Sequence, residues 1–138
     1  MTIESYAIET TVAISKQHFF AQKVVNIGRL EFANSSPKIS VILPAYNVVG
    51  HGKFERAVNS ILQQTFVDFE LLLVDDGSID NTKALIRKIS IKDKRVVGVY
   101  LKTNGGLPNA LNAGLNRSKA ALVTWTSSDN FLEPNFLE

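Results

Sequence analysis

The chain has 138 residues, of which 15 are Lys or Arg, 13 are Asp or Glu and none is cysteine. A hydrophobic fraction of 45% argues against disorder and favours a single domain with its own core, and a net charge of +2 is too small to indicate a nucleic-acid partner. The absence of cysteine excludes disulfides, a thiolate nucleophile and metal sites with sulfur ligands.

The first 37 residues do not share the pattern of the rest of the chain. The sequence of residues 12–25 is compatible with a helix. The Asn-Ser-Ser-Pro run at residues 34–37 is typical of a linker. We therefore expect an amino-terminal arm and linker over residues 1–37, followed by a domain over residues 38–138.

From residue 38 onward, apolar runs alternate with stripes of helical spacing. The runs, typical of strands buried on both faces, cover residues 39–43, 69–74, 96–101 and 120–125. The helical segments between them cover residues 54–62, 80–90 and 107–115, with Asp80 as a candidate cap. This alternation predicts an α/β fold with a parallel sheet, either doubly wound or covered by helices on one side only.

The sequence ends a few residues after the fourth predicted strand, at Glu138. A sheet of this kind normally continues, so we expect a carboxyl-terminally truncated domain. Its exposed sheet edge would favour self-association.

Ligands of open parallel sheets bind at the carboxyl ends of the strands, which selects four loops. These loops are residues 44–52, 75–80, 102–106 and 126–133. The second and fourth contain carboxylates and hydroxyls that suit a base, a ribose or a hard divalent cation. For residues 76–81, turn and helix-cap chemistry alone is the alternative interpretation.

Several motifs occur in a fixed order along this part of the chain. They are Ile-Ser-Val-Ile-Leu-Pro-Ala-Tyr-Asn at 39–47, Ser-Ile-Leu-Gln-Gln-Thr-Phe at 60–66, Val-Asp-Asp-Gly-Ser at 74–78, Asn-Gly-Gly at 104–106 and Trp-Thr-Ser-Ser-Asp-Asn at 125–130. Together they resemble the amino-terminal half of a family 2 glycosyltransferase. The resemblance implies a Rossmann-like GT-A fold and a role in polysaccharide biosynthesis. It also implies sugar transfer with inversion, from a nucleoside diphosphate sugar donor to a glycan or other hydroxyl acceptor.

The resemblance also implies roles for individual residues. Tyr46 would stack on the nucleotide base, although packing on a neighbouring helix is an alternative role for a loop aromatic. Asp76 would accept a hydrogen bond from the base, which suits a charged acceptor, and Asp75 would brace the loop. The expected substrate-binding residues are Pro44, Ala45, Tyr46, Asn47, Asp75, Asp76 and Ser128.

Asp129 matches the last metal-binding carboxylate of the family, which implies a Mg²⁺ or Mn²⁺ cofactor. Family members usually carry further aspartates just before it, where this chain has Ser127 and Ser128. One carboxylate would still suffice once donor phosphates and water complete the ligand set. The catalytic base is expected beyond residue 138, so no catalytic residue is assigned.

Two other classes of function are alternatives to the transferase. A truncated or degenerate module that binds a nucleotide sugar without transferring the sugar is favoured by Ser127, Ser128 and the early end. A phospho-acceptor receiver domain would need an acidic pair after the first strand, where Pro44 and Ala45 stand instead.

No apolar run approaches the roughly 18 to 20 residues of a membrane-spanning helix. Glu4 and Glu9 lie where a secretory signal would place its apolar block. We therefore expect a cytoplasmic protein without a membrane span in this chain, which would reach the inner face of a membrane only through a missing region.

Overall fold

The computed structural model describes residues 36–138. The helix expected at residues 12–25 lies outside the described residues, as does most of the expected arm and linker. The elements in chain order are β1 (Ile39–Ala45), α1 (Lys53–Leu62), β2 (Phe69–Asp75), α2 (Thr82–Lys92), β3 (Val96–Tyr100), α3 (Leu107–Arg117) and β4 (Leu122–Trp125).

The four strands form one sheet in the order β3-β2-β1-β4, and every neighbouring pair is parallel. Ile39 at the start of β1 pairs with Phe69 of β2 on one side and with Leu122 of β4 on the other. The carboxyl ends of β1, β2 and β4 therefore meet at the same edge. The predicted parallel α/β sheet is confirmed.

Helices cover both faces of this sheet. Val41 and Leu43 of β1 pack with α1 and α2, while Ile42 between them packs with α3. Successive side chains of a strand point to opposite faces, so a continuous apolar run such as β1 is buried from both sides. Of the two arrangements left open by the sequence, the doubly wound one is present.

The element boundaries differ from the sequence prediction mainly at polar residues. α2 begins at Thr82, and its N-cap residue is Asn81 instead of the predicted Asp80, whose carboxylate lies before the helix and accepts the Thr82 N–H at 2.9 Å. β4 begins at Leu122 instead of Ala120, whose N–H donates to the Ser40 hydroxyl. β1 ends at Ala45 and β2 at Asp75, slightly beyond the predicted ends at residues 43 and 74. Asp75 is therefore the last residue of its strand.

No helix within residues 36–138 is both long and apolar enough to cross a bilayer.

Candidate functional site

A cavity of about 390 Å³ opens at the carboxyl ends of β1, β2 and β4. It lies beside the junction of β1 and β4, where the direction of strand addition reverses, and such a switch point is the usual ligand site of doubly wound sheets. The residues lining it are Pro44, Ala45, Tyr46, Asp76, Asn104, Gly106, Leu107, Ala110, Trp125, Ser127 and Ser128.

The loop after β1 presents an aromatic ring to this cavity. Tyr46 directly follows the buried end of β1 and remains 46% exposed. Tyr46 therefore lines the cavity and is not a buried packing residue. Its stacking on the nucleotide base remains a prediction.

Asn47 lies next to Tyr46 but does not line the cavity. Its backbone adopts a φ of 50°, which Asn tolerates better than most residues, and its side-chain oxygen accepts the Ile79 N–H at 3.0 Å. The Asn47 N–H donates to the Ser78 hydroxyl at 2.9 Å. Asn47 therefore joins the loop after β1 to the loop after β2.

Asp80 extends the same connection between the two loops. Its carboxylate accepts the Val49 N–H at 3.2 Å, while the Thr82 hydroxyl accepts the Val48 N–H at 3.0 Å. Desolvation opposes the ionisation of the exposed Asp80, but the hydrogen bonds from Thr82 and Val49 outweigh this and lower its pKa. Asp80 thus helps to hold the loop after β1 against the start of α2.

The two aspartates that end β2 have different neighbours. Asp75 is buried and accepts the Ser78 N–H at 3.0 Å, so it braces the turn and does not reach the cavity. Asp76, only 4% exposed, lines the cavity and accepts two N–H groups, from Gly105 at 2.9 Å and from Gly106 at 2.8 Å. The Asp76 carboxylate therefore lies at the amino terminus of α3, whose N-cap residue is Gly106.

Asp129 lies in the loop after β4, next to the cavity rather than on its wall. It is exposed, and the Ser127 hydroxyl donates to its Oδ1 at 2.6 Å. This hydrogen bond lowers the pKa of Asp129, and the charge of Lys53 adds to the effect. Asp129 is connected through Ser127 to the cavity that holds Tyr46 and Asp76.

The residues around Asp129 restrict how a cation would bind. Within residues 36–138, no group of three or more His, Cys, Asp or Glu side chains is arranged to hold a metal. Asp129 retains an oxygen, Oδ2, that is not the one bonded to Ser127. This donor set fits Mg²⁺ or Mn²⁺ when ligand phosphates and water supply the remaining oxygens, as such ions commonly require.

Several cavity residues were not among the predicted site residues. Asn104, Gly106 and Leu107 bring the amino terminus of α3 to the cavity, and Trp125 contributes the end of β4. The sequence carried a signal for them, because the loop at 102–106 follows a predicted strand and the motifs at 104–106 and 125–130 belong to the family resemblance. The sequence did not show the hydrogen bond by which Gly106 contacts Asp76.

The model of the family described as glycosyl transferase family 2 matches residues 40–138. The chain therefore belongs to this family, which confirms the resemblance of its motifs. Among curated relatives, the hyaluronan synthase of Pasteurella multocida is 38% identical over 105 residues, covering 76% of this chain and 10% of that protein. The chondroitin synthase of Pasteurella multocida strain Pm70 is 38% identical over 102 residues, covering 74% of this chain and 10% of that protein.

Solved structures show the same architecture. S. aureus TarS 1-349 in complex with UDP superimposes with a TM-score of 0.64 and 31% identity, over 72% of this chain and 30% of that one. The mannosyltransferase PcManGT of Pyrobaculum calidifontis, in complex with GDP-Man and Mn²⁺, superimposes with a TM-score of 0.62 and 25% identity. The match covers 70% of this chain and 28% of that one. The Rossmann-like GT-A fold is thereby confirmed. The chain spans less than a third of either structure and about a tenth of either synthase.

Proposed function

We propose that residues 38–138 form the donor-binding part of an inverting glycosyltransferase. The reaction would transfer a sugar from a nucleoside diphosphate sugar to a hydroxyl of an acceptor such as a glycan. The observation that carries this proposal is the single cavity lined by Tyr46, Asp76 and Ser128, three residues from three different strand ends. UDP bound to TarS and GDP-Man bound to PcManGT support a nucleotide ligand for the same fold.

In this proposal the base lies between Tyr46 and Asp76. The exposed ring of Tyr46 provides a stacking surface, and stacking supplies affinity for any base. Each carboxylate oxygen of Asp76 already accepts one backbone N–H and has a further lone pair for an N–H of the base. Ser128 would contact the ribose through its hydroxyl.

The diphosphate would then extend toward Asp129. That carboxylate would hold Mg²⁺ or Mn²⁺, and the hydrogen bond from the Ser127 hydroxyl to its Oδ1 orients it. When bound, the cation supplies Lewis-acid stabilisation of the charge on the departing diphosphate. The residues of this chain bind and orient the donor; the base that activates the acceptor is not assigned to any of them.

Calorimetric titration of the chain with UDP and with GDP, in the presence and absence of Mn²⁺, tests this proposal. We expect Mn²⁺ to tighten binding of at least one nucleotide. Asp129→Asn should abolish most of the tightening, because the amide has the same shape but no charge for the cation. Glu133→Gln is the matched control, since it removes a nearby exposed carboxylate and should leave the metal effect unchanged.

Nucleotide binding that does not respond to Mn²⁺ would contradict the metal role of Asp129. It would instead support a module that binds the nucleotide sugar without transferring the sugar. Ser127 and Ser128, which replace carboxylates common in the family, favour this second candidate. If neither nucleotide binds under either condition, both candidates are wrong.

A further inference from the structure

Gln64 is a buried polar residue just after α1, on the side of the sheet that α1 and α2 cover. Its side chain is only 3% exposed. A buried amide is costly unless its hydrogen bonds are made, so its partners indicate what the residue does. The motif at residues 60–66 that contains it belongs to the family resemblance, but none of its residues lines the cavity.

The Gln64 side chain holds the segment that follows the Asp129 loop. Its Nε2 donates to the carbonyl of Glu133 at 2.6 Å and to the carbonyl of Ser60 at 3.1 Å, and its Oε1 accepts the Leu137 N–H at 3.0 Å. The neighbouring Thr65 N–H donates to the Pro134 carbonyl at 2.8 Å. Residues 133–137 are thus attached to the end of α1 by bonds to both main-chain and side-chain groups.

Ser60 supplies the anchor nearest to the loop. Its hydroxyl accepts the Leu132 N–H at 3.1 Å and itself donates to the Ala57 carbonyl at 2.7 Å. At the other end of the loop, the Thr126 N–H donates to the Ile42 carbonyl at 3.1 Å. Residues 127–131, which include Asp129, therefore span the distance between an anchor on β1 and an anchor on α1.

We infer that Gln64 is a positioning residue for the Asp129 carboxylate, acting together with Ser60 through the carboxyl-terminal anchor of this loop. The inference rests on the proposed function, because it takes Asp129 as the cation ligand. An exposed carboxylate that must hold a cation with few other protein ligands loses affinity when its loop gains freedom. Gln64 reduces that freedom from outside the cavity, without contact with the nucleotide.

The test compares Gln64→Met with Gln63→Met in the full chain. Methionine has nearly the shape of glutamine but makes none of the three Gln64 hydrogen bonds, and Gln63 is the exposed neighbour that carries the same change. We expect Gln64→Met to weaken Mn²⁺ binding, measured at saturating UDP or GDP, by about tenfold, the scale of outer-shell substitutions at metal sites. Nucleotide affinity without Mn²⁺ should stay unchanged, and Gln63→Met should match the unaltered chain in both measurements.

Hydrogen–deuterium exchange provides a readout that does not involve the metal. The amides of Leu132 and Leu137 should exchange faster in Gln64→Met, while amides within β1 and β2 keep their protection. If Gln64→Met does not fold, Ser60→Ala takes its place, because it removes only the hydroxyl that accepts the Leu132 N–H.

Each outcome distinguishes the inference from the function on which it rests. If Mn²⁺ tightens binding to the unaltered chain and equally to Gln64→Met, the inference is wrong and the proposed function stands. The inference is also wrong if Gln64→Met loses as much nucleotide affinity without Mn²⁺ as it loses with Mn²⁺, since that loss would indicate general damage to the fold. If Mn²⁺ has no effect on the unaltered chain, the proposed metal role fails and the inference fails with it.

Discussion

The carboxylate of Asp76 connects the loops after β2 and β3 through the N–H groups of Gly105 and Gly106. The same side chain lines the cavity and is proposed to contact the base. Replacing Asp76 would therefore change the cavity wall as well as the proposed contact. We therefore expect a variant at Asp76 to lose fold stability together with nucleotide affinity, because its carboxylate serves both.

Gly77, the next residue, allows these two loops to approach each other. Its φ is +69°, and an added Cβ would overlap the main chain of Thr103 and Asn104. We expect Gly77→Ala to lower the free energy of unfolding by about 3 kcal/mol, from left-handed strain plus overlap. Urea denaturation measures this change.

Gly52 provides the matched control for Gly77. Its φ of +64° is nearly the same, but an added Cβ would meet nothing within 4 Å. Gly52→Ala should therefore lower the free energy of unfolding by only about 1 kcal/mol, because it causes left-handed backbone strain without overlap. If both variants lost the same free energy of unfolding, overlap with the main chain of the neighbouring loop would not be the reason that residue 77 requires glycine.

At the scale of whole elements, α3 packs closely against β1 at Gly114. A Cβ added there would lie 2.6 Å from Cγ2 of the buried Ile42. Alanine usually stabilises a helix relative to glycine by about 1 kcal/mol, but overpacking a core costs about 1–3 kcal/mol. We therefore expect Gly114→Ala to destabilise the fold on balance, by about 1 kcal/mol in urea denaturation.

The exposed Asn112 of the same helix gives the control substitution. Asn112→Ala gains helix propensity without meeting a neighbour, so it should be neutral or slightly stabilising. Stabilisation by both alanines would show that α3 can move away from β1.

The turn between α2 and β3 is stabilised by Asp93 and Arg95. The Arg95 guanidinium donates to Asp93 at 2.8 Å and to the Leu62 carbonyl at 3.1 Å, and it lies 4.7 Å from the Phe69 ring centre. The hydrogen bond from Arg95 lowers the pKa of Asp93 below its ordinary value of 3.8. A lowered carboxyl pKa stabilises the fold above that value, and the contribution is lost as the pH falls through the folded-state pKa.

Asp93→Asn should therefore lower the free energy of unfolding by about 1 kcal/mol or less at pH 7. The difference from the unaltered chain should shrink as the pH falls below 3.8, because Asp93 then becomes protonated in both the folded and the unfolded state. Urea denaturation over this pH range measures it. A difference that is independent of pH would assign the effect to packing instead of charge.

At the scale of the whole molecule, the sheet ends in β3 on one side and β4 on the other. Among residues 36–138 no strand pairs with the outer edge of β4, and Leu122 on this strand is 44% exposed. Unpaired edges with apolar side chains promote association. We predict that the chain self-associates as its concentration rises and that Leu122→Lys reduces this association. A monomer at high concentration in light scattering would contradict the prediction.

Much of the fold could be predicted because its signals are local. The apolar runs that became β1 and β2 and the helical stripe of α1 were recognised from spacing within about ten residues. Predictions were weaker where polar residues decide a boundary, as at Asp80, whose carboxylate lies before α2 and bonds both Val49 and Thr82. The periodicity of apolar residues contains no information about such bonds.

The candidate site was predictable only in part, for the same reason. Its loops could be located, because polar residues at strand ends mark the ligand edge of a parallel sheet, and Tyr46, Asp76 and Ser128 do line one cavity there. The family resemblance already implied a bracing role for Asp75, but the sequence did not show that Asn47 also braces the loops rather than lines the cavity. The partners of Asn47 at positions 78 and 79 depend on loop conformation, including its own positive φ.

The sequence alone determined which segments become strands and helices and which loops carry the site, since hydrophobic periodicity and family motifs are properties of neighbouring residues. The tertiary structure decided that helices cover both faces of the sheet, that Asp76 bonds the amino terminus of α3, and that Gln64 holds the segment after Asp129. These features join residues far apart in the chain. They exist only once parallel crossovers bring those residues within hydrogen-bonding distance.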